Sequence, residues 1–218
     1  MKHTLTSATR RVGATCLVLL LGACAVPTPG TRAAVYDFGP GALNVASKHG
    51  EARLPALLLE MVDVNPALDS TAMLYRLAYS DGQQLRPYAL ARWSMTPTQL
   101  LGQRLRETLG QRHTLLRPGD ETLVAGMPNR ERPLTLRIEL EEFSQVFTAP
   151  ESSVGLLRLR ATVSRTSATG ATALAQRSLT VQRDAPSADA TGGVRALNAA
   201  SEAALQEIDR WLQGLGQP

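Results

Sequence analysis

Cysteine, histidine and aromatic side chains are scarce in this sequence: two Cys, three His, and only 4% Phe, Trp and Tyr among 218 residues. Cys16 and Cys24 are too few for a disulfide framework, and there is no Cys-x-x-Cys, His-Glu-x-x-His or Gly-x-Ser-x-Gly, which excludes most zinc, thiol and elbow-serine chemistries. A long apolar run is also missing. The longest stretch, Cys16-Leu17-Val18-Leu19-Leu20-Leu21, falls far short of the roughly 20 residues that a membrane-spanning helix needs. Gly39-Pro40-Gly41 with Lys48 downstream lacks the Gly-Lys-Ser/Thr step of a phosphate-binding loop and reads as a turn. No block of Lys and Arg is present either, so nucleic acid is not expected as a partner.

What is present begins at the N-terminus. Lys2, Arg10 and Arg11 precede the apolar run, and Gly22-Ala23 closes it with small residues, which is the layout of an export signal over residues 1–23. Leu21-Gly22-Ala23-Cys24 resembles the bacterial lipobox, in which the cysteine is acylated and becomes the first residue of the mature chain. The alternative is an ordinary secretory signal with a chance cysteine. At about 0.8 kcal/mol per buried CH₂, two or three acyl chains hold a protein firmly where one does not. Ala25 rather than Asp follows the cysteine, and by the same resemblance this implies transfer to the outer membrane, with the domain facing the periplasm. Cleavage removes three of the 23 basic residues and none of the 19 acidic ones, leaving 20 − 19 = +1. Cys16 leaves with the signal and Cys24 is consumed, so the core alone must stabilise the fold. Cys24→Ser is expected to abolish processing, and mass spectrometry of the mature N-terminus checks it: the wild-type chain starts at an acylated Cys24.

Residues 24–33 form the acylated N-terminus and a Pro-containing tether that holds the domain off the membrane, and residues 34–218 form a single domain. Ala34 to Phe38 is a first strand candidate, and Leu57 to Val64 is apolar enough to be a central strand buried on both faces. Met73 to Tyr79 and Leu85 to Trp93 flank the turn signal Ser80-Asp81-Gly82 and predict a hairpin, with Pro87 best placed on an edge. Thr96-Pro97-Thr98-Gln99 predicts a capping box opening a helix with Leu101, Leu105 and Leu109 on its buried stripe, ending near Gly110. From Leu134 the pattern turns to period two, then slips phase near Glu141-Glu142, which predicts a bulge or bend there. Leu157, Leu159, Ala161 and Val163, then Leu179 and Val181, continue the alternation. A linker from Ala185 to Gly193 leads to a final helix with Val194, Leu197, Ala204, Leu205, Ile208, Leu212 and Leu215 on one side. These elements predict an α+β fold, a mixed and mainly antiparallel sheet with two main helices packed on it.

No catalytic, metal or cofactor site emerges. Glu139 and Glu141 share a strand face with Arg137 and read as solvated charges, not an acid/base pair. The informative polar feature is the hairpin itself, which concentrates Tyr75, Arg76, Tyr79, Tyr88, Arg92 and Trp93. Tyr75, Arg76, Tyr88 and Trp93 are candidates for a partner interface, while cross-strand aromatic pairing offers a purely structural reading. Tyr75-Arg76, Tyr88, Trp93, Pro97 and the leucines of the first helix, then Phe143-Ser144-Gln145-Val146-Phe147 with Pro150 and Ser153, then Ser187-Ala188-Asp189-Ala190 before the last helix, together resemble the ABC-type transport auxiliary lipoprotein family. That resemblance implies a non-enzymatic component working beside an MCE-domain protein and an ABC permease and ATPase that move lipid between membranes, with no cofactor of its own. Outer-membrane lipid is contacted through the acyl anchor; phospholipid and a second copy of the chain are further candidate partners. Two other readings compete: a free-standing envelope lipoprotein that regulates a cell-wall enzyme, and a hydrolase.

Overall fold

Alternation of apolar and polar residues from Leu134 onward produces the strand around which everything else is arranged. The computed structural model describes residues 32–41, 54–120, 132–167 and 170–215. The expected export signal, Cys24, most of the expected tether, His49 and part of the 117–133 connection lie outside the described residues. In chain order the elements are β1 (Ala34–Tyr36), β2 (Leu54–Leu59), β3 (Asp63–Val64), β4 (Ala72–Leu77), α1 (Ala78–Asp81), β5 (Gly82–Trp93), α2 (Pro97–Leu109), β6 (His113–Leu116), β7 (Leu134–Ala149), β8 (Ser152–Ser167), β9 (Gly170–Asp184) and α3 (Ala190–Leu215).

All nine strands join one mixed sheet, so the fold is α+β as the patterning predicts. One flank of β7 is covered over its whole length by β8, antiparallel, and β9 continues that ladder. Its other flank is shared end to end by three short parallel partners: β2 at Leu134 to Leu136, β3 at Glu139 and Leu140, and β4 at Gln145 to Phe147. Beyond them the sheet splits, β2 leading to β6 and β4 leading through β5 to β1. The ladder shifts register between Leu140 and Glu142, where the sequence phase slips. Leu136, Ile138 and Leu140 are therefore buried before the bulge and Phe143 after it, all toward the helices.

The helices follow their caps and stripes. Thr96 Oγ1 accepts from the Gln99 amide and Gln99 Oε1 accepts from the Thr96 amide, which completes the capping box, and Leu101, Leu105 and Leu109 are buried. On α3, Val194, Leu197, Ala204, Leu205, Ile208 and Leu212 are buried against β8, β9 and α2. Leu197, Leu205, Ile208 and Leu212 alone contribute on the order of 6–12 kcal/mol of burial, an upper bound because the unfolded chain already hides part of this area.

Several expectations change. The Leu57 to Val64 segment is not one strand buried on both faces: it breaks at Glu60–Val62, and Met61 there is 82% exposed. From Leu59 to Asp63 the chain runs four residues while β7 advances three, from Leu136 to Glu139, so a continuous ladder cannot be kept. The hairpin turn is a single helical turn, α1, and β6 was not foreseen, since four residues carry too little periodicity. The final helix begins at Ala190, so Gly192 and Gly193 lie inside it, and Leu215 is 39% exposed at its end. Pro87 does fall where it must: β1 pairs only with Ala91 to Trp93, leaving the flank of β5 at Pro87 without a strand among the described residues.

Candidate functional site

The four interface candidates separate once the hairpin is folded. Tyr75 and Arg76 are consecutive in β4 and point to opposite faces of the sheet. Tyr75 lies on the helix side, its ring 4.7 Å from Tyr88 and 6.0 Å from Phe147. This aromatic row crosses β5, β4 and β7 with Tyr75, Leu77 and Tyr88 partly exposed. Tyr79, on the α1 turn beside it, is 49% exposed. Trp93, in contrast, is 1% exposed and packs edge-on to Phe38 at 5.9 Å and beside Phe143 at 5.6 Å. An indole so enclosed cannot reach a partner surface, which removes it from the interface.

Arg76 has its partner inside the chain. Its Nη2 donates to Glu142 Oε2 at 3.0 Å and its Nε to Oε1 at 3.4 Å, while Nη1 donates to the carbonyls of Gly82 and Gln83. Glu142 is buried and also accepts from Ser144 Oγ at 2.7 Å. Truncating Arg76 would strand a buried carboxylate, so any loss of binding in Arg76→Ala would be mixed with lost stability. Glu139 and Glu141 do lie on the wet face, paired with Arg160 and Arg158.

The aromatic row is held from beneath by a buried amide. Gln145, 0% exposed, accepts from Tyr88 Oη at 2.8 Å and donates through Nε2 to Ser153 Oγ at 2.8 Å and to the Asp189 carbonyl at 3.1 Å. Asp189 Oδ1 in turn accepts from the Gly192 amide and Ser187 Oγ. Those two bonds, the Gly192 amide first, hold its carboxyl below the usual carboxylate range. Four segments thus meet at one side chain, β7, β5, β8 and the turn before α3, and its amide is satisfied. Gln145, Ser153 and Glu142 were missed as site residues. For Glu142 the predicted phase slip was the available signal, since the bulge between Leu140 and Glu142 moves that side chain from the helix face, where alternation would put it, to the face of Arg76.

Burial pushes the Tyr88 phenol up to about 12 from 10.0, with Tyr75 and Asp189 adding to the effect. The raised value means the folded state favours the protonated phenol. Its contribution is therefore intact below pH 10 and lost as pH rises toward 12. Ultraviolet absorbance titration is expected to show a tyrosine ionising toward pH 12, and Tyr75→Phe, which removes the neighbouring phenol that adds to the shift, to lower it.

A groove of about 810 Å³ between α2 and α3 is lined by Arg104, Glu107, Arg112, Asn198, Glu202 and Asp209 among others. Its arginines are engaged within the chain, Arg104 with Glu107 and Arg112 with Asp209. Among the described residues no group of three or more His, Cys, Asp or Glu is placed to hold a metal ion, and no helix is long and apolar enough to cross a membrane.

From residue 36 to residue 209 the sequence matches the family described as ABC-type transport auxiliary lipoprotein component. No curated protein matches the sequence. Among solved structures, a protein from Xanthomonas campestris is 16% identical, covers 85% of this chain and 88% of its own, and superposes with a TM-score of 0.58. An uncharacterized protein is 13% identical over 83% of this chain and 99% of its own, with a TM-score of 0.54. At such identities the likeness speaks for the fold alone.

Proposed function

Because the chain belongs to the ABC-type transport auxiliary lipoprotein family, we propose that it is the lipid-anchored, non-catalytic docking part of an MCE-associated ABC system that moves lipid between membranes. Cys24 carries the anchor, and Ala25 after it favours the outer membrane with the domain facing the periplasm. ATP hydrolysis belongs to a separate ATPase chain working with a permease. The family match over residues 36–209 carries the reading. The partly exposed row of Tyr75, Leu77 and Tyr88, with Tyr79 beside it, supports a docking role, because tyrosines set on a rigid base lose little entropy on binding.

Affinity capture of the full chain from membranes is the test, with co-purification of an MCE-domain protein, permease and ATPase expected. Tyr75→Ala combined with Tyr79→Ala is expected to lower that capture roughly tenfold or more, as truncations costing about 2 kcal/mol do. Melting temperature is compared first, and Met61→Ala serves as the exposed control. Undiminished capture by a stable double variant would move the interface elsewhere. Capture of a cell-wall enzyme alone would overturn the transport reading in favour of a regulatory lipoprotein.

A further inference from the structure

Of the seven large apolar residues exposed among the described residues, two stand on the edge strand β1 and the end of β5: Val35 at 53% and Leu90 at 53%. Val35 pairs in register with Arg92. Neighbouring residues in register stand on the same face of a sheet, so the guanidinium of Arg92 and the Val35 side chain share the outer face, away from the helices that bury Ala91 and Trp93. Arg92 is exposed and makes no ion pair among the described residues. In sequence, Arg32 stands two residues before β1. The nearest carboxylate in sequence, Asp37, is engaged by the Gly39 amide at 2.7 Å. An apolar group with an adjacent unpaired arginine is the composition of a surface that lies on anionic lipid.

The length of the chain before β1 says which surface that is. Ten residues run from Cys24 to Ala34 and reach at most roughly 35 Å when fully extended. A chain of this size folds to a radius of gyration of roughly 16 Å. The tether therefore limits separation to about one domain diameter, and β1 is the point from which the domain hangs. A contact too weak to hold a free protein is occupied when a tether keeps it at millimolar effective concentration.

We propose that the β1 edge is the side on which the domain rests on the bilayer, with Val35 and Leu90 at the lipid interface and Arg92 against anionic headgroups. The proposal rests on the reading of Cys24 as an acylated anchor.

Acylation leaves the mature chain without a free thiol, so an introduced cysteine can be labelled alone. Val35→Cys, Leu90→Cys and the control Leu174→Cys, which is 51% exposed on β9, are prepared in the full acylated chain. Each is placed in vesicles of phosphatidylethanolamine and phosphatidylglycerol or in detergent, and treated with a water-soluble maleimide. At positions 35 and 90 labelling is expected to slow roughly tenfold in vesicles, as for side chains set into the headgroup zone, while position 174 changes little. Arg92→Glu in the Val35→Cys background is expected to restore most of the rate. Equal rates in vesicles and detergent overturn the proposal. Protection in detergent that grows with protein concentration also overturns it, by assigning the edge to a second copy. Mass spectrometry of the same samples separates the two readings: an acylated but unprotected chain sinks this inference alone, whereas an unacylated Cys24 sinks both. Partner capture tests the transport reading independently.

Discussion

Ile208→Asp is expected to unfold the domain. Ile208 is 0% exposed on α3, between Leu205 at 1% and Leu212 at 5%, in the layer where the helix meets β8 and β9. No described salt bridge places a basic group at that position: the basic groups nearby are already engaged, Arg177 with Glu207 and Arg112 with Asp209. An aspartate there must either remain charged in an apolar layer or fold only when protonated, and either course costs several kcal/mol on top of the lost burial. Natural domains hold only about 5–15 kcal/mol in reserve. Circular dichroism melts are expected to show no cooperative transition at neutral pH, with partial recovery in acid as the carboxyl protonates. Gln206→Asp, exposed two residues away, is expected to melt like the wild type. If Ile208→Asp melted normally, α3 would not be docked on the sheet in the way described.

Gly155→Ala is expected to be nearly as damaging, for a steric reason. A Cβ at Gly155 would lie 2.6 Å from the carbonyl carbon of Ala196 and 2.6 Å from the amide nitrogen of Leu197. Both are backbone atoms inside α3, so the helix as a whole must lift from β8. Gly155 pairs directly with Gln145 across the β7–β8 ladder, and the lift therefore acts on the bonds that Gln145 makes. Gly193 tells the same story from the helix side, where a Cβ would fall 2.0 Å from Gln145 Oε1. Overpacking of this kind costs roughly 1–3 kcal/mol, and more where neither backbone can yield. Denaturant titration is expected to show the loss. A second measurement separates it from a general weakening: raising α3 opens the packing around Tyr88 and draws the Asp189 carboxylate away from it, so the phenol that ionises toward 12 is expected to titrate closer to 10. A stable Gly155→Ala protein with an unmoved tyrosine would mean that the close approach of helix and sheet is not what holds the aromatic row.

These results turn on how far local sequence reaches. Periodicities, caps and turn chemistry are local properties, and they determined most of the fold. The Thr96–Gln99 box, the leucine stripe of α2, the alternation of β7 and β8, the bulge at Glu141 and the apolar side of α3 were all legible because each is written within a dozen residues. Short or interrupted elements were not. β6 and β3 owe their existence to the neighbours they pair with, His113 to Leu116 lying along β2 and Asp63 and Val64 along β7. The Glu60–Val62 break likewise follows from pairing, since the chain has one residue more between Leu59 and Asp63 than β7 has between Leu136 and Glu139.

The hairpin's aromatic and arginine content was visible as a concentration of residue types, but its division was not. Strand alternation predicts that Tyr75 and Arg76 face opposite ways, yet only the folded sheet decides which face the helices cover, and so which residue meets water. Tertiary structure alone took Trp93 into the core with Phe38 and Phe143, gave Arg76 an internal partner 66 residues away in Glu142, and made Gln145 the meeting point of β5, β8 and α3. Pairings of that separation leave no periodic trace, because the energy of a buried polar group depends on partners supplied by distant segments. The sequence by itself determined the α+β class and the family likeness, since these reside in contiguous motifs and their order. Which of the candidate residues remain at the surface was decided by packing.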